Sequence, residues 1–195
     1  MDGKVDSFRR CDYAVNKVEP IRDREKIEMM KTELMKRGYR DYLLFVMGIN
    51  TGLRLSDLLE LKVEDVQGKS HLIIKEEKTE KTKRFLINSR LKEDLEKYIE
   101  TMHPWEYLFL SQKGANKPLS RVQAYRILRA AADEVGLESV GTHTLRKTFG
   151  YFHYREYKDV ALLQDLFNHS APSVTLDYIG INQDTMDRTI ENFYL

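Results

Sequence analysis

Apolar residues recur at helical spacing along most of this chain, interrupted once by a stretch where they alternate. Between 24 and 37, Ile27, Met30 and Leu34 fall on one face, with Asp23 placed to cap the helix and Gly38 to stop it. From 40 to 51, Tyr42, Phe45, Val46 and Ile49 sit at i, i+3, i+4 and i+7, the stripe of an amphipathic helix, and Gly52 ends it. Ser56 caps a short helix through Leu61. After Gly68 the period changes. Residues 71–75 and 84–88 are β-rich runs joined by the charged segment EEKTEKTK, which predicts a hairpin, and a third short strand is expected at 107–111. Helical spacing returns over 90–102, with Leu91, Leu95, Tyr98 and Met102 on a face that Pro104 breaks. It continues from Ser120 to Val135, with Val122, Tyr125, Leu128 and Ala132 expected inward and Gly136 closing the helix. Further helices are expected near 142–155, 159–168, 173–179 and 183–193, the last carrying Met186, Ile190 and Phe193 on one stripe. The fold class is therefore mainly α with a small antiparallel β-sheet (α+β).

Composition narrows the class. A chain of 195 residues is one domain, or one with a small appendage, and 42% apolar residues are enough for a proper core. A formal net charge of +1 neither demands nor excludes nucleic acid, because a DNA binder can be neutral overall if its cations face one way. The lone cysteine, Cys11, allows no disulfide within the chain and no cysteine metal site, which suits a reducing cytoplasm. The start, MDGKVDSFRRC, lacks the apolar stretch of a signal peptide, and no apolar run approaches the roughly 20 residues that span a bilayer. The expectation is a soluble cytoplasmic protein with no membrane partner. Residues 1–20 lack periodicity, end in Pro20 and read as a leader or linker.

Five places carry candidate chemistry. Arg54, in TGLRLSD, follows a helix stop and precedes a helix start, where backbone N–H groups and a guanidinium can converge on an anion; taken alone, an ion pair to Asp57 or Glu60 is the commoner arrangement. Lys78 shares a hairpin tip with Lys81, Lys83 and Arg84, which suits phosphate contact, although Glu76, Glu77 and Glu80 offset much of the charge. His143 and Arg146 are three apart near a helix N-terminus, so they share a face where the helix dipole favours an anion; the spacing is common, and taken alone a surface pair with no role is as frequent an arrangement. His169 ends an apolar run and could simply cap helical carbonyls; His103 and His153 share no ligand-like spacing with it, so no zinc site is read. Tyr178 is one of eleven tyrosines, most often packing residues whose hydroxyl finds a partner.

Their order changes the weighing. TGLRLSDLLELKVEDV, KTEKTKRFLI, THTLRKTF and LFNHSAPSVTLDYIGI, taken in sequence, resemble the tyrosine recombinase (phage integrase) family over almost the whole chain from about Val18. The resemblance implies a catalytic domain over 21–195, with no separate N-terminal core-binding domain among the few residues before it. It implies Tyr178 as nucleophile on a DNA phosphorus, leaving a 3′-phosphotyrosyl bond and a free 5′-hydroxyl. Arg54 and Arg146 match the guanidinium groups on the non-bridging oxygens, Lys78 the lysine that protonates the leaving oxygen, His143 the manager of the nucleophile's proton, and His169 a donor to the phosphate. Asp57 matches a position that orients its neighbours.

Exchanging one phosphodiester for another needs no nucleotide cofactor, and two arginines take the place of a metal, so neither cofactor nor metal is expected. The implied partner is double-stranded DNA, held by a homo-tetramer that can be monomeric in solution. Lys147 and Asn168 depart from the family's usual His and Gly. Without the second half of a DNA clamp, binding is expected to be weaker than in a two-domain relative. Met186, Ile190, Phe193 and Leu195 read equally as an anchor for a neighbouring protomer and as core. Two other outcomes remain open on the residues: a topoisomerase IB-like nicking activity, and a DNA-binding regulator that keeps the fold without turnover. A helical protein-interaction domain would leave the ordered cations unexplained.

Overall fold

The computed structural model describes residues 18–75, 82–181, 190, 191, 193 and 194. The helices are α1 (Arg24–Arg37), α2 (Tyr39–Thr51), α3 (Leu55–Leu59), α4 (Ser89–Ile99), α5 (Arg121–Glu134), α6 (Thr144–Tyr157), α7 (Val160–Phe167) and α8 (Pro172–Tyr178), with strands β1 (His71–Lys75) and β2 (Thr82–Leu86) between α3 and α4. The class is thus mainly α with a two-stranded antiparallel sheet. Among the described residues no helix is long and apolar enough to cross a membrane.

Local chemistry sets the ends. Asp23, Asn88, Ser120 and Asp159 each accept a backbone N–H of the helix they precede, satisfying one of its orphan donors. Gly52 closes α2 in the left-handed region, at φ 66°, and returns its N–H to the Gly48 carbonyl.

α2 is the centre of the domain. It packs against α1, α4 and α6, and Leu43, Leu44, Phe45 and Met47 are fully buried. The expected stripe of Phe45 and Val46 is inside, with Tyr42 and Ile49 packed at its margin. The helix is buried well beyond that stripe, down to Asp41, which pairs with Arg40 at 2.7 Å. Close approach explains Gly48: a Cβ there would lie 2.4 Å from Leu145 Cδ1, so α2 and α6 meet backbone to side chain.

Three expectations are corrected. In α5 the inward residues are Ala124, Ile127, Leu128, Ala131 and Ala132, while Val122 and Tyr125 are exposed. The helix lies close to α1, and small alanines permit that approach where Val and Tyr would not. The second strand runs over 82–86 rather than 84–88, with Leu72 opposite Phe85 and both side chains buried. The third strand is absent: Tyr107 bridges Lys62 and Leu110 bridges Pro118, so the segment is divided between two partners and forms no ladder.

Ahead of α1, Glu19 N–H donates to the Ser139 carbonyl and Ile21 N–H to Thr148 Oγ, so 18–21 lie against the body. A second, smaller apolar cluster of Leu163, Phe167, Ile179 and Ile181 ties α7 and α8 to α6. Gly150 makes this possible, since a Cβ would stand 2.6 Å from Ile179 Cγ2. Of the expected C-terminal stripe, Met186 and Leu195 lie outside the described residues, while Ile190 and Phe193 are each 67% exposed.

Candidate active site

The site forms where three helix ends converge: the α2–α3 junction, the N-terminus of α6 and the C-terminus of α7. Arg146 joins them. It is 5% exposed, and its guanidinium donates to the Gly52 carbonyl at 2.6 Å and the Phe167 carbonyl at 3.1 Å. The same group lies over the Phe167 ring at 4.2 Å. Carbonyl ends of two helices thus satisfy a buried cation, which would otherwise be costly to remove from water.

Arg54 stands at the start of α3, with its nearer acidic neighbour, Asp57, at 3.9 Å. That distance is long for an ion pair, and the side chain is 46% exposed, so the guanidinium keeps a face open to solvent. Beside it a cleft of about 570 Å³ runs between α3 and β1, lined also by Asp57, Glu60, Ile74 and Asn168.

His143 occupies the N-cap of α6, and its Nδ1 meets the Tyr178 hydroxyl at 3.1 Å. Burial, then Lys147, Arg146, Arg121 and Arg54, hold this imidazole below its ordinary 6.5, so it is neutral at neutral pH and able to accept a proton. Tyr178 is half-buried at the end of α8. Burial raises its phenol above the ordinary 10, outweighing the opposing charges of Arg146 and Arg54. The α6 N-terminus has no acidic residue in its first turn, so its cations sit where the helix dipole favours an anion.

His169 follows α7 through Asn168, which takes the left-handed conformation at φ 56°. Asparagine tolerates that region better than other side chains, so the usual glycine is replaced without losing the turn: His169 N–H still reaches the Gln164 carbonyl at 3.0 Å. Asn168→Val is expected to cost about 1–2 kcal/mol in urea denaturation, with Asn168→Gly keeping native stability. The His169 ring is edge-on to Tyr178 at 5.0 Å, and its Nδ1 lies 3.0 Å from Thr175 Oγ.

Arg54, His143, Arg146, His169 and Tyr178 therefore gather at one place. Lys78 lies outside the described residues. Lys83, read from the sequence as part of a cationic finger, instead donates to the carbonyls of Asp165 at 2.6 Å and Leu166 at 3.3 Å, fastening β2 to the end of α7. Two residues at the site had no assigned place in the sequence reading. Lys147, noted only as a departure, is 7% exposed and holds its ammonium 4.9 Å from the Tyr178 ring centre. Thr175 is fully buried one helical turn before Tyr178, a spacing that could have drawn attention to it. Among the described residues no group of three or more His, Cys, Asp or Glu is placed to hold a metal.

A model of the phage integrase family matches residues 22–184, most of the chain. The chain belongs to the phage integrase family. By class it is a tyrosine-type site-specific DNA recombinase. It is 54% identical over 168 residues to the probable integrase/recombinase YoeC of Bacillus subtilis (strain 168), covering 86% of this chain and 92% of that protein. It is 29% identical over 188 residues to tyrosine recombinase XerC of Herpetosiphon aurantiacus, covering 93% of this chain but 59% of that one. The phage integrase fold recurs in the crystal structure of XerA recombinase, with a TM-score of 0.73 at 20% identity over 92% of this chain and 66% of that chain. A lambda integrase dimer bound to a COC′ core site gives 0.65 at 20% identity, covering 84% and 48%. The chain thus spans little more than half the length of the Xer relatives that it matches in sequence.

Proposed function

We propose that this chain cuts and rejoins double-stranded DNA at specific sites through a 3′-phosphotyrosyl intermediate, with residues 21–195 as its catalytic domain. The observation that carries the reading is the 3.1 Å contact between the Tyr178 hydroxyl and His143 Nδ1 beside two guanidinium groups. In this reading Tyr178 Oη bonds to a backbone phosphorus, the bond to the 5′-oxygen breaks, and the phenolic proton passes to His143. Arg54 and Arg146 hold the non-bridging oxygens, where charge builds in the transition state. His169 donates to the same phosphate, and Lys78 supplies the proton to the leaving 5′-oxygen. The reverse attack by a new 5′-hydroxyl restores the protein. Solved relatives support DNA as the partner, among them XerH bound to its difH substrate. Recombination exchanges four strands on two duplexes, so the working assembly is a homo-tetramer on DNA, acting in the cytoplasm.

The test is a denaturing-gel search for a covalent protein–DNA adduct, using host DNA carrying nicks that trap the intermediate. An adduct whose DNA sequences to a common site supports the reading. DNA retention with no adduct points instead to a binding protein that has lost turnover. The pH dependence follows from His143. The acceptor must be neutral, and its surroundings hold it below 6.5. Adduct formation is therefore expected to be level at neutral pH and to fall on acidification, with its midpoint below 6.5. A midpoint above that value would remove His143 as the acceptor.

A further inference from the structure

We infer that Thr175 is a positioning residue: its hydroxyl donates to His169 Nδ1 and so fixes the tautomer in which Nε2 carries the proton that the phosphate needs. This rests on the function proposed above. The geometry is specific. Thr175 is fully buried and its Oγ lies 3.0 Å from Nδ1 and 3.4 Å from the Ala171 carbonyl one turn back. A threonine hydroxyl has one proton, so it serves one of these as donor. If it serves the carbonyl, the imidazole must donate to it from Nδ1, and Nε2 becomes an acceptor that repels a phosphate oxygen. If it serves the imidazole at the shorter distance, Nε2–H is a donor.

The surroundings keep the tautomer relevant. Burial, then Arg146, Arg54 and Lys83, hold His169 below the ordinary histidine value, so the ring is neutral and carries a single proton. An imidazolium would donate from both nitrogens and need no orienting partner; a neutral ring needs one. Two aromatic rings flank the imidazole, Phe167 at 5.5 Å and Tyr178 at 5.0 Å, both edge-on. Thr175 also sits three residues before Tyr178 on the same short helix, so the nucleophile and the orienting hydroxyl move together.

The experiment is long-range proton–nitrogen NMR of the ¹⁵N-labelled full chain, with His169 assigned by its loss in His169→Gln. The native protein is expected to show the Nε2–H tautomer. Thr175→Val, which removes the hydroxyl at nearly constant volume, is expected to shift His169 to a tautomer mixture, and Thr175→Ser to restore the native pattern. A native ring protonated at Nδ1, or a Thr175→Val spectrum identical to native, overturns the inference. Should Thr175→Val fail to fold, the native and Thr175→Ser spectra decide alone. On the nicked duplex recovered from adduct trapping, Thr175→Val is expected to slow adduct formation about 10- to 100-fold, with Thr175→Ser close to native. The NMR readout needs no turnover, so absence of any adduct in the native protein would count against the proposed function while the tautomer still judges Thr175.

Discussion

Tyr178→Phe is expected to abolish the covalent adduct while leaving DNA retention and folding intact. The substitution removes one oxygen. That oxygen meets His143 at 3.1 Å, a bond worth about 1 kcal/mol or less in a half-buried setting. The ring keeps its edge contacts with Phe167 and His169 and its place under the Lys147 ammonium. Stability should therefore change by about 1 kcal/mol or less. Turnover should fall by roughly a millionfold, the scale seen when a covalent nucleophile is removed, and so below detection on a gel. An adduct persisting in Tyr178→Phe would move the nucleophile elsewhere on the chain.

Arg146→Ala is expected to damage both reaction and fold. The guanidinium donates to two helix-end carbonyls and covers the Phe167 ring, so its loss leaves the Gly52 and Phe167 carbonyls without that partner. Charge-assisted bonds of this kind contribute about 1.5–3 kcal/mol each. Relief from burying a cation offsets part of that, and a net loss of about 2–4 kcal/mol in urea denaturation is expected. Adduct formation should drop by at least 10²- to 10³-fold through loss of one donor to the developing charge. Arg146→Lys keeps the charge without the planar fork and should fall between the two in both measurements. Native stability in Arg146→Ala would show that the two carbonyls are not held by this side chain in solution.

Most of the helices were legible because their apolar spacing is strong and their ends carry caps. α1 shows it best, where Asp23, Gly38 and the inward Ile27, Met30 and Leu34 all fall as the pattern expects. α5 shows the weakness. Ranking by hydrophobicity selects Val122 and Tyr125, but the face against α1 is chosen by how closely two backbones approach, and alanines win there. The bounds of the second strand were missed for a related reason: a strand extends as far as its partner pairs with it, and a single strand does not reveal that partner.

The site was legible as an order of residue types, which a family resemblance could interpret. The placement of His143 beside Tyr178, 35 residues apart, and of Arg146 on Gly52, 94 residues away, follows only from how the helices pack. Thr175 escaped because threonine does not signal chemistry by itself, and Lys147 because the sequence marks it only as a departure from a usual histidine. Each acts on a ring that the fold brings to it.

The double attachment of Arg146 also constrains how this lineage can decay. A descendant that gave up turnover but kept binding would need a first step that leaves the scaffold standing. Tyr178 offers one, since its hydroxyl can be lost while the ring stays packed. Arg146 does not, because removing it loosens the α2–α3 junction and the end of α7 together. Inactive descendants should therefore have lost the tyrosine hydroxyl while retaining this arginine, and an arginine kept in such a sequence would record architecture rather than activity.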